Sequence, residues 1–259
     1  RKLSQEIGVR EQVERKIKES EELFRAVFEQ TGGACMILRP SDSGIPTILD
    51  VNNIACKVHG YSKEEMIGRP VADLDDEEGK KLCIERTKTI MSGKPLAIET
   101  NHVRKDGSIF PVAVYSNIVQ FEDKPPIIVT TEFDITERKQ AEEALREIKD
   151  QLQTSIDNMP TAYILWDTDL NVLEWNKAAE RIFGYSKEEM LGKNPVDYIV
   201  PEDARHLVTD ILKKLQVGDV AAYSEKDNNI RKDGEIISCQ WINTPLGDKD
   251  GNIFSILTV

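Results

Sequence analysis

Metal, redox and proton chemistry run mostly through cysteines and histidines, and spacing decides which of these a chain can support. The four cysteines, Cys35, Cys56, Cys83 and Cys239, lie far apart and never form the two-residue spacing of a zinc site or a redox dithiol. Reduced thiols are therefore expected. The three histidines, His59, His102 and His206, are equally isolated, with no pair at the spacing that metal ligation on one helix needs. Surface or packing roles are expected for them, and no metal. A phosphate loop and a Gly-x-Ser-x-Gly elbow are both missing, so catalysis by this segment is not expected.

A net charge of −12 disfavours sequence-independent binding to nucleic acid phosphates or anionic lipid, and no local basic patch offsets it. No apolar run approaches the roughly 18 residues of a membrane span, so no membrane insertion is expected. The chain opens on Arg1-Lys2 without an apolar signal segment, which suggests part of a longer cytoplasmic chain, whose own anchoring stays open.

The elements that must position any site are set by a repeat. Gly60-Tyr61-Ser62-Lys63-Glu64-Glu65-Met66 returns as Gly184-Tyr185-Ser186-Lys187-Glu188-Glu189-Met190, each followed by an aliphatic residue and a glycine. Ser62 with Glu65, and Ser186 with Glu189, have the spacing of a capping box, and Gly68 and Gly192 suit a left-handed helix stop. Leu49-Asp50-Val51-Asn52 matches Leu173-Glu174-Trp175-Asn176, and Arg104-Lys105-Asp106-Gly107 matches Arg231-Lys232-Asp233-Gly234. In each copy the pattern predicts two strands, short helical turns, a longer helix and three strands; in the first the longer helix spans residues 77–91. In the second copy the last three strands are expected over 221–230, 235–244 and 252–259, with a hairpin turn at Asp250-Gly251.

With these blocks in place, each copy resembles a PAS domain with its C-terminal PAC segment. The asparagine after the second strand, the Gly-Tyr-Ser-Lys-Glu-Glu-Met block, Arg-Lys-Asp-Gly at the hairpin and Asp134-Ile135-Thr136-Glu137-Arg138-Lys139 after the last strand carry the resemblance. It implies an α+β fold, a five-stranded antiparallel sheet in order 2-1-5-4-3 with helices over one face, and a long signalling helix joining the copies. The expected organisation is a helical linker at 1–22, a first domain at 23–134, a linker helix at 135–150 and a second domain at 151–259. The equivalent of Asp134 falls past Val259, and a further such domain preceding Arg1 is left open.

The resemblance implies a sensory and signal-relay segment of a multidomain protein, most often a histidine kinase, with a diguanylate cyclase as the other parent. Its partners would be an output domain and a small ligand. A ligand-free scaffold for dimerisation and a haem or flavin sensor remain as alternatives. The cysteine of a flavin photoadduct is absent from Arg69-Pro70-Val71-Ala72-Asp73 and from Lys193-Asn194-Pro195-Val196-Asp197. A haem ligand on the long helix is absent from the first copy, and His206 falls about two residues short in the second, where a displaced side chain faces elsewhere. No cofactor is expected, and a colourless protein.

Period two on the strand after each hairpin puts Phe110, Val112 and Val114 on one face, and Ile237, Cys239 and Trp241 on the same face of the second copy; these are candidate pocket linings. Trp241 either lines a ligand site or fills it. Cys83 and Arg86 are candidates for polarity in the first pocket, with a solvated Arg86 as the alternative. Asp134, Ile135 and Thr136 are the candidate relay, Asp134 capping the next helix or pairing with a base on the sheet. Val13, Ile17 and Phe24, and again Leu145, Ile148 and Leu152, have the spacing of a helical seam for a homodimer, or of a helix folded onto its own domain.

Overall fold

The computed structural model describes residues 2–216, 223–250 and 252–259. Two compact units divide at Ala144 and Leu145. In the first, a leader helix α1 (Lys2–Gln30) precedes β1 (Ala34–Arg39), β2 (Thr47–Val51), α2 (Asn53–His59), α3 (Lys63–Met66), a 3₁₀ turn at Val71–Leu74, α4 (Glu77–Met91), β3 (Leu96–Val103), β4 (Ile109–Val119) and β5 (Ile127–Asp134). Helix α5 (Thr136–Asp157) follows. The second unit runs β6 (Ile164–Trp166), β7 (Val172–Trp175), α6 (Lys177–Phe183), α7 (Lys187–Met190), α8 (Val196–Ile199), α9 (Arg205–Gln216), β8 (Tyr223–Ile230), β9 (Ile236–Gly247) and β10 (Ile253–Thr258).

Both sheets are antiparallel, with orders β2-β1-β5-β4-β3 and β7-β6-β10-β9-β8, as the resemblance implied. The boundaries of α4 fall where the sequence pattern put them, whereas β9 runs on to Gly247, past the expected end at residue 244. Of the strand expected at 221–230, Ala221 and Ala222 lie outside the described residues, as does Gly251 of the expected Asp250-Gly251 turn.

Local chemistry explains the shared frame. Ser62 and Ser186 cap α3 and α7 in full capping boxes with Glu65 and Glu189, and Gly60 and Gly184 end α2 and α6 at φ of 75° and 81°. The most connected shared residue is the asparagine after the second strand. Asn52 Oδ1 accepts from the amides of Ala55 and Cys35, while Nδ2 donates to the carbonyls of Phe28 and Gly33. Asn176 repeats all four bonds with Ala179, Tyr163, Ile156 and Thr161. Each asparagine is fully buried and ties one helix start, one strand start and the last turn of the preceding helix into one joint.

The cores sit between sheet and helices. Met36, Ile48, Val51, Met66, Leu74 and Ile128 form the first, with Phe110, Val112 and Val114 as a satellite cluster. The second is built on Ile164, Trp175, Phe183, Met190, Ile199 and Leu215.

Candidate functional site

In the first unit the inner face of the sheet carries an unusual buried polar set. His59 closes α2, His102 lies on β3 and Glu132 on β5, and all three are at least nine-tenths buried. Glu132 Oε2 is 2.9 Å from His59 Nε2 and 3.6 Å from His102 Nδ1. On its other side His102 Nε2 stands 3.5 Å from Asp75 Oδ1, which Arg86 Nη1 reaches at 3.4 Å; Arg86 Nη2 donates to Thr100 Oγ1 at 3.2 Å. Burial opposes ionisation of Glu132, yet the His102 and His59 imidazoles outweigh it and hold the carboxyl down at about 2. Burial also opposes charge on His102, but Glu132 and Asp75 prevail and raise its pKa. Asp75 is pushed up by burial against the pull of His102 and Arg86.

His102 and Glu132 of this set, with Asp75 and Arg86, border a cavity of about 60 Å³ whose wall also includes Cys83, Val114, Ser116 and Thr130; His59 lies outside its lining. That volume accepts a few waters, an ion or a very small molecule, and falls well short of the roughly 300 Å³ at which sites for drug-sized ligands begin. A flavin or haem does not fit it without rearrangement. Among the sequence candidates, Cys83, Arg86 and Val114 line the cavity, whereas Phe110 and Val112 pack beside it as core. Arg86 is held by Asp75 and Thr100 rather than solvated.

The histidine expectation needs correction. His59 and His102 are neither isolated nor on the surface: 43 residues apart in the chain, they stand with ring centroids 5.5 Å apart. Strand pairing and the docking of α2 bring them together, which helical spacing cannot report. A signal was present in the repeat itself, since the matching positions hold Phe183 and Asn229. His206 is exposed on the first turn of α9.

In the second unit the same region is aromatic. Phe183 stacks on Trp241 at 5.7 Å and 4° and packs against Trp175 at 5.5 Å. Trp241 Nε1 donates to Asn229 Oδ1 at 2.9 Å, and Asn229 Nδ2 donates to the Ile199 carbonyl. A cavity of about 50 Å³ remains, lined by Trp166, Val200, Val208, Trp241, Asn243 and Thr258 among others. Trp241 thus both fills space and forms a wall; Ile237 and Cys239 pack against the core outside the cavity lining.

The strand-to-helix junction is built around Asp134. Its Oδ1 accepts from the Thr136 amide at 2.9 Å and hydroxyl at 2.5 Å, and its Oδ2 from Arg104 Nη2 at 2.6 Å. Asp134 thus caps α5 and also pairs with a base on the sheet. Burial opposes its ionisation, but the bonds from Thr136 and Arg104 hold its pKa down. Arg104 lies over the Phe110 ring at 3.7 Å and also donates to the Val58 carbonyl, next to His59. The Ile135 amide donates to the Pro111 carbonyl, and Arg138 and Lys139 pair with Glu99 at 2.5 and 2.7 Å.

A family model described as PAS domain matches residues 33–137, and one described as PAS fold matches residues 150–259. The chain is a tandem of two PAS domains. The first domain therefore owns the polar chamber and the second the aromatic one. Similar proteins include the methyl sulfide methyltransferase-associated sensor of Methanosarcina acetivorans, 31% identical over 155 residues that make up 59% of this chain and 15% of that protein. Sensor protein FixL of Bradyrhizobium diazoefficiens is 39% identical over 72 residues, 28% of this chain and 14% of that one. Sporulation kinase E of Bacillus subtilis is 21% identical over 210 residues, 79% of this chain and 27% of the kinase. The chain therefore spans about a quarter or less of the length of these relatives.

Proposed function

We propose that these PAS domains form the sensory and relay segment of a larger signal-transduction protein, a histidine kinase in view of the likeness to sporulation kinase E, acting in the cytoplasm. In this reading the first domain receives a small polar ligand and α5 carries the response. The observation that supports it is the placement of two carboxylates on one strand. Glu132, inside the chamber, and Asp134, capping α5, stand two residues apart on β5 and so project to the same side of the sheet. Arg104 links Asp134 to the end of α2 that carries His59, so a shift of His59 or Glu132 acts on both ends of that brace. A junction fixed by several bonds passes on a small displacement that a loose one would absorb.

The measurement is hydrogen exchange in α5. Asp134→Ala is expected to leave both domains folded, raise exchange over residues 135–145 and change the parent protein's output. Unchanged exchange together with unchanged output sinks the relay.

A scaffold reading applies to the second domain, whose Phe183–Trp241 stack already occupies the centre of its chamber. Dimerisation fits the helices: Val13, Ile17 and Phe24 on α1, and Leu145, Ile148 and Leu152 on α5, are all about half or more exposed within the chain. If sedimentation of the segment at tens of micromolar gives a monomer, and Leu145→Asp with Ile148→Asp leaves it unchanged, the homodimer is ruled out.

A further inference from the structure

We propose that the first PAS domain binds one divalent transition-metal ion of the zinc type between His59 Nε2, His102 Nδ1 and Glu132 Oε2, with its fourth position open to the chamber. The claim deepens the reading of this chamber as the receiving site and rests on that reading only for its signalling meaning.

Geometry comes first. One donor atom from each of the three side chains lies within 4.8 Å of the other two. A tetrahedral ion with bonds of about 2.1 Å spaces its ligand atoms by about 3.4 Å. The 2.9 and 3.6 Å separations around Glu132 Oε2 bracket that spacing, and the two imidazole nitrogens, within 4.8 Å of each other, close on the ion by side-chain rotation.

The second observation is an unmet polar atom. His102 Nδ1 is buried and has no hydrogen-bond partner, since Glu132 Oε2 at 3.6 Å is beyond bonding range. Native interiors rarely leave such an atom unpaired, and a metal bond at Nδ1 satisfies it. The opposite nitrogen of the same ring faces Asp75, itself held by Arg86. A carboxylate behind a coordinating imidazole fixes its tautomer and orientation, the arrangement typical around protein-bound zinc. His59 lacks this support: its Nδ1 is also unpartnered, and the ring is placed by its edge contact with Phe110 at 5.5 Å.

Donor chemistry narrows the ion. Two imidazoles and one carboxylate favour Zn²⁺, Fe²⁺, Co²⁺ or Ni²⁺ over Ca²⁺ and Mg²⁺, which prefer all-oxygen shells. Three protein ligands leave one position for exchangeable water or an incoming anion. In the second domain Phe183 and Asn229 replace both histidines, so the expected stoichiometry is one ion per chain.

The test uses Co²⁺ as a visible probe on the whole segment after dialysis against a chelator. Wild type is expected to develop tetrahedral d–d bands that saturate at one Co²⁺ per chain. His102→Gln and Glu132→Gln should lose the bands, and Asp75→Asn should bind about 10–100-fold more weakly. His206→Gln, on the surface, should bind like wild type. Because the buried variants can fail to fold, imidazole ¹⁵N resonances of wild type are followed in parallel. Zn²⁺ should shift Nε2 of one histidine and Nδ1 of a second, leaving the third untouched. Wild type without Co²⁺ bands and without imidazole shifts at millimolar metal overturns the site, as does full-strength binding by folded Glu132→Gln. Metal binding that leaves exchange in α5 unchanged upholds the site and counts against the relay; an Asp134→Ala effect without metal binding does the reverse.

Discussion

Where α2 ends the first PAS domain carries His59, and at the matching end of α6 the second carries Phe183; the carbonyls of both accept from a lysine amide of the hairpin, Lys105 and Lys232. On the facing strand His102 is matched by Asn229, and Val114 by Trp241. One domain therefore spends its interior on a charged triad around a cavity, and the other on a stack of rings. Yet Asn52 and Asn176, both capping boxes and both hairpins keep the same bonds. Even the polar pair across the central strands survives in altered form, Ser116 with Thr130 and Asn243 with Thr258. The frame and the contents of the chamber are separable. Bonds that fix backbone geometry need a side chain with matching donors and acceptors at one point, while side chains on the inner face need only fill the volume and satisfy their own polar atoms.

The comparison is broken most directly at the frame. Asn52→Ala and Asn176→Ala each remove four side-chain bonds to the backbone, although the Ile156 carbonyl keeps its bond from the Met159 amide, and each is expected to destabilise its own domain by about 3–5 kcal/mol in urea unfolding. Equal losses uphold a shared frame; a loss below 1 kcal/mol in either domain would not.

Next comes the filling of the second chamber. Trp241→Ala removes the ring stacked on Phe183 and the donor to Asn229, and should cost about 2–4 kcal/mol, somewhat under a fully buried tryptophan because Trp241 is half-buried. Val114→Ala, at the matching site of the first domain, should cost about 1–2 kcal/mol because fewer atoms are lost. Similar losses from both would mean that the two interiors are packed alike.

Chelation sharpens the comparison further. Removing Zn²⁺ that stood at a hundred times its dissociation constant lowers the stability of the binding domain by about 2.7 kcal/mol. Calorimetry should show the first domain's transition moving and the second's unmoved.

The smallest effect is expected from Asp134→Ala, about 0.5–2 kcal/mol for a lost cap, confined to the first domain and α5. A loss spread over both transitions would contradict the separation of frame and junction.

What the sequence made legible follows from range. The capping boxes, the Asp-Gly hairpins and the limits of α4 rest on residues within a few positions of one another and are readable. The left-handed φ of Gly68 and Gly192 is too, but their amides bond to the Ile48 and Val172 carbonyls of the second strands, and the glycine caps of helices are Gly60 and Gly184. The face of β4 bearing Phe110, Val112 and Val114 followed from period two. The asparagine was recognised as part of a motif, but its four bonds reach from Phe28 to Ala55 and only the fold displays them. The triad was missed because its members come from a helix end and two strands, and no local period joins them. The sequence offers a helix cap and a pairing with a base as alternatives for Asp134, and the structure contains both bonds, since one carboxylate has two oxygens to offer.

Helix α5 has a bond network at each end: Asp134 and Glu99 hold its first turn, and Asn176 Nδ2 donates to the Ile156 carbonyl of its last. In the relay proposed above, such a helix would act as a drive shaft of fixed pitch. Its 22 residues measure about 33 Å, and each added residue turns one pin by about 100° about the axis relative to the other. Length changes should therefore be counted in angle rather than in distance: one inserted residue throws the two pins out of phase, while seven bring them back to within about 20°.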